Sequence, residues 1–107
     1  MSRVIRGAED EAVRRFKAAL GAYEAAHPGA EACLYRQNPG SIRIRVVDRR
    51  FEEMPRSRRH DELWAFLTDR VGADEMEQVS LLLALGPGET GESLANLDFE
   101  QPLKSEL

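Results

Sequence analysis

The sequence predicts an α/β (α+β) domain of order αββαβ, in which a three-stranded mixed sheet carries two helices on one face. Three observations point to it. Between Ser41 and Leu67 an alternating segment, SIRIRVV, passes through an arginine-dense connector into an amphipathic helix. An earlier stretch, residues 8 to 26, repeats apolar residues at helical spacing. The longest apolar run, Leu81 to Leu85 within VSLLLAL, has the length of a strand and falls far short of the roughly 20 residues that a membrane-spanning helix requires.

The elements follow in order. Val13, Phe16, Leu20 and Tyr23 recur every three or four residues, with Arg14, Arg15, Lys17 and Glu24 elsewhere on the wheel, so residues 8 to 26 form the first helix. His27-Pro28-Gly29 ends it, because proline cannot continue the hydrogen-bond ladder. Ala30 to Gln37 reads as the first strand and Asn38-Pro39-Gly40-Ser41 as a tight turn. The second strand, Ile42 to Asp48, sets Ile42, Ile44 and Val46 on one face and Arg43 and Arg45 on the other. Pro55 suits the first turn of the second helix, whose stripe of Leu63, Trp64, Leu67 and Val71 runs to Gly72. An acidic turn over residues 73 to 78 leads to Val79–Leu85, whose near-continuous apolarity predicts a central strand buried on both faces, parallel to the second and joined to it by a right-handed crossover. Leu82 and Ala84 are then expected on the face away from the helices, covered by the C-terminal tail with Leu94, Leu97, Phe99 and Leu103, or by a second copy of the chain.

At 107 residues, 42% hydrophobic and 32% charged, the chain has the size and balance of one domain, with its core expected at about 8–86 and a docked, irregular tail at 87–107. The single Cys33 allows no internal disulfide, and the N-terminus meets charged residues before any apolar run of signal-peptide length, which predicts a cytoplasmic protein. The net charge of −4 conceals segregation: residues 1 to 35 are balanced, 36 to 59 carry +5 and 60 to 107 carry −9.

Few segments suggest chemistry. Gly86-Pro87-Gly88-Glu89-Thr90-Gly91 matches the dinucleotide pattern G-x-G-x-x-G, but no amphipathic helix follows it and Glu89 would repel a phosphate, so it reads as the loop that ends the last strand. His60, the one candidate metal ligand, falls on the stripe of Leu63, Trp64 and Leu67 and is expected to pack there. Cys33 reads as a small buried hydrophobe. The arginines carry more. Arg56, Arg58 and Arg59 stand in the first turn of a helix, where the macrodipole disfavours positive charge, so each needs a compensating acid or a ligand. With Arg49, Arg50 and the free N–H groups of the helix start they can grip a phosphate or an acidic surface.

RIRVVDRRFEEMPRSRRHDELWAFL followed by QVSLLLAL resembles the BolA proteins over about residues 30 to 85, which implies a variant KH-like fold. The local match is Val46-Val47-Asp48, then Arg50-Phe51, Arg59-His60 and Gln78-Val79. The resemblance implies monothiol glutaredoxin partners and an iron–sulfur cluster shared through a histidine near the start of the last strand and a histidine or cysteine in the loop between the first two strands; it also implies DNA-binding regulation. Here the strand position reads Ser80 and the loop reads Asn38-Pro39-Gly40-Ser41, and the KH nucleic-acid loop GXXG is missing. His60 matches a histidine that the family holds at the helix entrance, in keeping with packing.

The expected function is a non-enzymatic, cytoplasmic BolA-like interaction or regulatory module, without cofactor or membrane attachment, as monomer or homodimer. Arg43, Arg45, Arg49, Arg50, Arg56, Arg58 and Arg59 form its binding surface for an acidic protein partner or a phosphate-bearing ligand. The alternatives are a nucleic-acid-binding KH-like domain, an iron–sulfur and glutaredoxin partner, and a small enzyme using Cys33 or His60, for which no base, nucleophile and orienting group can be named together.

Overall fold

A computed structural model describes residues 3–92 together with Asn96 and Phe99. The elements are β1 (Arg3–Arg6), α1 (Glu11–Ala26), β2 (Glu31–Asn38), β3 (Ser41–Val47), α2 (Arg56–Val71), α3 (Ala73–Met76) and β4 (Val79–Leu85), with 3-10 turns at Arg49–Glu53 and Pro87–Glu92. The class is α/β, as expected, but within residues 3–92 the sheet has four strands and there are three helices. The additional strand is Arg3–Arg6, and the acidic turn contains a short helix. No described helix is long and apolar enough to cross a membrane.

The order in the sheet is β1-β2-β3-β4, with β1 parallel to β2, β2 antiparallel to β3, and β3 parallel to β4. This corrects the expected position of VSLLLAL: β4 is an edge strand, not the central one. Its unbroken apolarity has another source, since each of its two faces packs on something different. Leu82 and Ala84 join the helix-side core, while Leu81 and Leu83 pack on the opposite face with Cys33, Tyr35 and Phe99. The expected faces are therefore exchanged. A register irregularity between Ile42 and Arg43 brings Arg43 opposite Leu81 and Ile44 opposite Leu82, and a slip of one residue turns every following side chain to the other face.

α1 and α2 lie on the same face. Val13, Phe16, Leu20 and Tyr23 from α1 and Leu63, Leu67 and Val71 from α2 form one core with Ala32, Leu34, Ile42, Ile44 and Val46. Because β1 and β2 run opposite to β3 and β4, two connections that cover one face have opposite hands, so only one obeys the right-handed preference. α1 starts at Asp10, whose carboxylate accepts the Val13 N–H at 3.0 Å and pairs with Arg36 Nε at 2.6 Å. The Arg36 hydrogen bond, with that N–H, lowers the Asp10 pKa. The cap of the first helix is thereby fastened to β2.

On the reverse face, Phe99 is 2% exposed and meets Tyr35 at 5.4 Å between ring centroids, and Asn96 is buried beside Arg45. Leu94, Leu97 and Leu103 lie outside the described residues.

Candidate functional site

The connector is built on two anchors. Phe51, fully buried, pins the 3-10 turn Arg49–Glu53 to the core, and the Asp48 side chain caps the turn by accepting the Arg50 N–H at 3.0 Å. Arg49 and Glu53 are consequently exposed, while Glu52 reaches over the glycine-rich loop after β4. The chain then enters α2 at Pro55, without a side-chain cap and with no acid in the first turn. The helix start keeps its free N–H groups and its positive dipole end.

The seven arginines expected to form one surface separate into distinct roles. Arg50 turns back over the end of α1. Its Nη1 lies 3.3 Å from Tyr23 Oη and 3.1 Å from His27 Nδ1, and its Nη2 donates to both oxygens of Glu62 at 3.1 and 3.3 Å. Beneath it Tyr23 Oη donates to Asp48 Oδ2 at 2.7 Å; burial and this bond raise the Tyr23 pKa, so the hydroxyl stays a donor.

Arg59 is 4% exposed and is not a surface residue, which corrects the expectation for it. Its Nε donates to the Met54 carbonyl at 2.9 Å and Nη1 to the Ala84 carbonyl at 3.2 Å. Its two Nη groups hold Glu89 in a bidentate pair at 2.6 and 3.0 Å. These bonds, and the Gly86 N–H at 2.8 Å, lower the Glu89 pKa to about 2. Arg56 adds to that field from the surface.

Arg43 and Arg45 are corrected likewise. Arg45 is 5% exposed, donates to Asn96 Oδ1 at 2.8 Å and lies over the Phe99 ring. Arg43 donates to Tyr35 Oη at 2.8 Å. The alternation that placed them on the face opposite Ile42 and Ile44 was read correctly, but that face is covered. Arg49, Arg56 and Arg58 remain exposed, and the side chain of neither Arg49 nor Arg58 makes a hydrogen bond or ion pair among the described residues.

His60 is exposed rather than packed in the core. The buried row of α2 is Arg59, Leu63, Leu67 and Val71, spaced by four, and His60 and Trp64 stand one position round the helix. Their rings stack at 5.5 Å with an interplanar angle of 16°, and Trp64 is 36% exposed. The buried Cys33 belongs to the reverse face, and His27 sits beside Arg50. Among the described residues no three His, Cys, Asp or Glu side chains gather as metal ligands do.

The two places where the BolA resemblance implies cluster ligands do meet in space. There the Ser41 and Ser80 hydroxyls hydrogen-bond to each other, and Ser41 Oγ also donates to Gln37 Oε1 at 3.1 Å. Hydroxyl and amide oxygens are hard donors that suit neither an iron–sulfur cluster nor a soft metal, so these residues do not fit that group. The glycine-rich loop is occupied from within: the Gly86 amide is bound by Glu89 and the Gly88 amide by Glu52 Oε2 at 2.7 Å. A Cβ at Gly86 would lie 2.0 Å from Glu52 Cγ, which is why glycine stands there. The acids that serve Arg59 and this loop, Glu89 and Glu52, lie 30 and 36 residues from their partners, beyond any local sequence signal.

Comparisons with protein-family models, with curated proteins and with solved structures find no match to this chain.

Proposed function

We propose that this protein is a non-enzymatic interaction or regulatory module, of the BolA-like kind that residues 30 to 85 suggest, acting in the cytoplasm through the entrance of α2. The contact surface is Arg49, Arg56 and Arg58 with the free N–H groups of the first helical turn, and the partner presents an acidic or phosphate-bearing surface. One observation carries the reading. Arg43, Arg45, Arg50 and Arg59 are engaged by other side chains of the fold, whereas Arg49 and Arg58 stand exposed without an acid, next to a helix start that has none either. Uncompensated positive charge at the positive end of a dipole costs free energy in the isolated chain and is relieved by an anionic partner.

Affinity capture from native extract with the wild type and with Arg49→Glu/Arg58→Glu tests the proposal. Loss of captured partners in the variant is expected; an unchanged partner set refutes it. Electrophoretic shift with single-stranded DNA and RNA at two salt concentrations is the companion measurement. A shift that weakens steeply with salt would replace the protein partner by a nucleic acid.

A further inference from the structure

The outer edge of β4 bears no strand among the described residues. Natural sheets blunt an open edge with a charge, a proline or a bulge; Ser80 to Ala84, SLLLA, carries no charge and no proline, and its one irregularity against β3 falls at the Ser80 end. The direction of its backbone groups follows from one bond. The Asp48 N–H donates to the Leu85 carbonyl at 2.9 Å, so Leu85 and Leu83 turn their polar groups to β3, and Leu82 and Ala84 turn theirs outward. Arg59 takes the Ala84 carbonyl. The Leu82 N–H and carbonyl are left for a strand that the described residues do not supply.

A groove runs beside this edge, between it and α2. At one end Arg56, Ser57 and His60 face Leu82, Leu83 and Ala84; at the other Trp64, Thr68, Met76 and Glu77 face Val79. The stacked His60 and Trp64 rings line its middle and leave apolar surface open. Charge changes sign along its length. Arg56 lies at the end by Ala84, and Glu77 at the end by Val79. A strand edge that is positive at one end and negative at the other is complementary to itself after half a turn.

We propose that β4 pairs antiparallel with β4 of a second copy of this chain, about a twofold axis at Leu82, to form one continuous eight-stranded sheet. Each Leu82 N–H then meets the partner's Leu82 carbonyl, and Ser80 lies opposite the partner's Ala84. Arg56 approaches the partner's Glu77 at each end, and the two His60–Trp64 stacks close over the seam on the helix face. A parallel pairing would bring like-charged ends together, which costs association free energy. The contact is isologous and closes on itself, as the commonest homodimers do. It shares Arg56 with the surface proposed above, but Arg49 and Arg58 line neither end of the groove.

Sedimentation equilibrium over a range of concentrations gives the test. The full chain, of 12.0 kDa, is expected to associate to twice that mass. Arg56→Glu alone and Glu77→Arg alone each raise the dissociation constant by about tenfold or more, and the double swap Arg56→Glu/Glu77→Arg returns it toward the wild-type value. Emission of Trp64, the chain's one tryptophan, shifts to the blue as the dimer forms. Arg49→Glu/Arg58→Glu leaves the sedimentation unchanged, so failure of the partner reading and failure of the dimer are told apart. A monomer at every concentration overturns the proposal, including one that binds an extended peptide at this edge. So does a dimer that ignores the charge swap or leaves Trp64 emission unmoved.

Discussion

A guanidinium that is 4% exposed needs a carboxylate, because an isolated buried charge costs several kcal/mol. Arg59 has Glu89, at 21% side-chain exposure, and removing that charge leaves the guanidinium with carbonyls alone. Glu89→Gln is expected to lower stability by about 2–3 kcal/mol, read from urea unfolding at neutral pH. The effect depends on pH with a definite sign. The folded-state pKa is depressed to about 2 from 4.5, so the contribution of the pair is complete above about pH 4.5 and is lost as pH falls through 2. The wild-type advantage over the glutamine variant should be constant from neutral pH down to about 5 and shrink below it; an advantage that persists undiminished at pH 2 would contradict this assignment. The need for such a partner was legible in the sequence, from three arginines in the first turn of a helix. Its identity was not, since Glu89 lies 30 residues further on in a loop that looks like a nucleotide fingerprint.

The same division holds for elements. Both long helices were legible from the period of Val13, Phe16, Leu20 and Tyr23 and of Leu63, Leu67 and Val71, because an amphipathic stripe several turns long is a redundant signal. β1 was not, since four residues offer each face of a sheet too little to form a pattern, and here Val4 packs on the helix side and Ile5 on the reverse side. The exchange of faces in β4 was equally hidden, because the register slip beside Ile42 belongs to the pairing of two strands and not to either one. β1 pairs with β2, and the turn after it lies close against that strand. Gly7 has φ +84, and a Cβ there would stand 2.8 Å from the Arg36 carbonyl oxygen. Gly7→Ala is expected to cost about 1–3 kcal/mol and to speed amide exchange in β1 more than in β3. Uniform exchange across the sheet would argue against a local role for this turn.

Across the whole molecule, the sheet divides two cores of unequal size. The larger lies under α1 and α2; the smaller comprises Cys33, Tyr35 and Phe99, with Ile5, Leu81 and Leu83 against them. Phe99 is the largest apolar side chain described on that reverse face from beyond residue 92, and Arg45 and Asn96 join it to the sheet through a cation over its ring and a 2.8 Å hydrogen bond. Phe99→Ala should therefore cost about 2–4 kcal/mol in thermal or urea unfolding, and a loss under 1 kcal/mol would show that this face does not depend on the segment. This cover also explains why two of the seven arginines expected on one surface, Arg43 and Arg45, are withdrawn from it. Sequence supplied the face on which Arg43 and Arg45 stand, but whether a face meets solvent depends on what a distant segment does.

The Arg59 clamp has a consequence in time as well as in free energy. It joins the entrance of α2 to the carbonyl end of β4 and to the turn beyond, so it closes only once β4 has docked on β3. An interaction made after the transition state slows unfolding and leaves the rate of folding nearly untouched. In stopped-flow measurements Glu89→Gln should accordingly unfold faster while refolding at almost the wild-type rate, which makes this pair a latch on the lifetime of the folded chain.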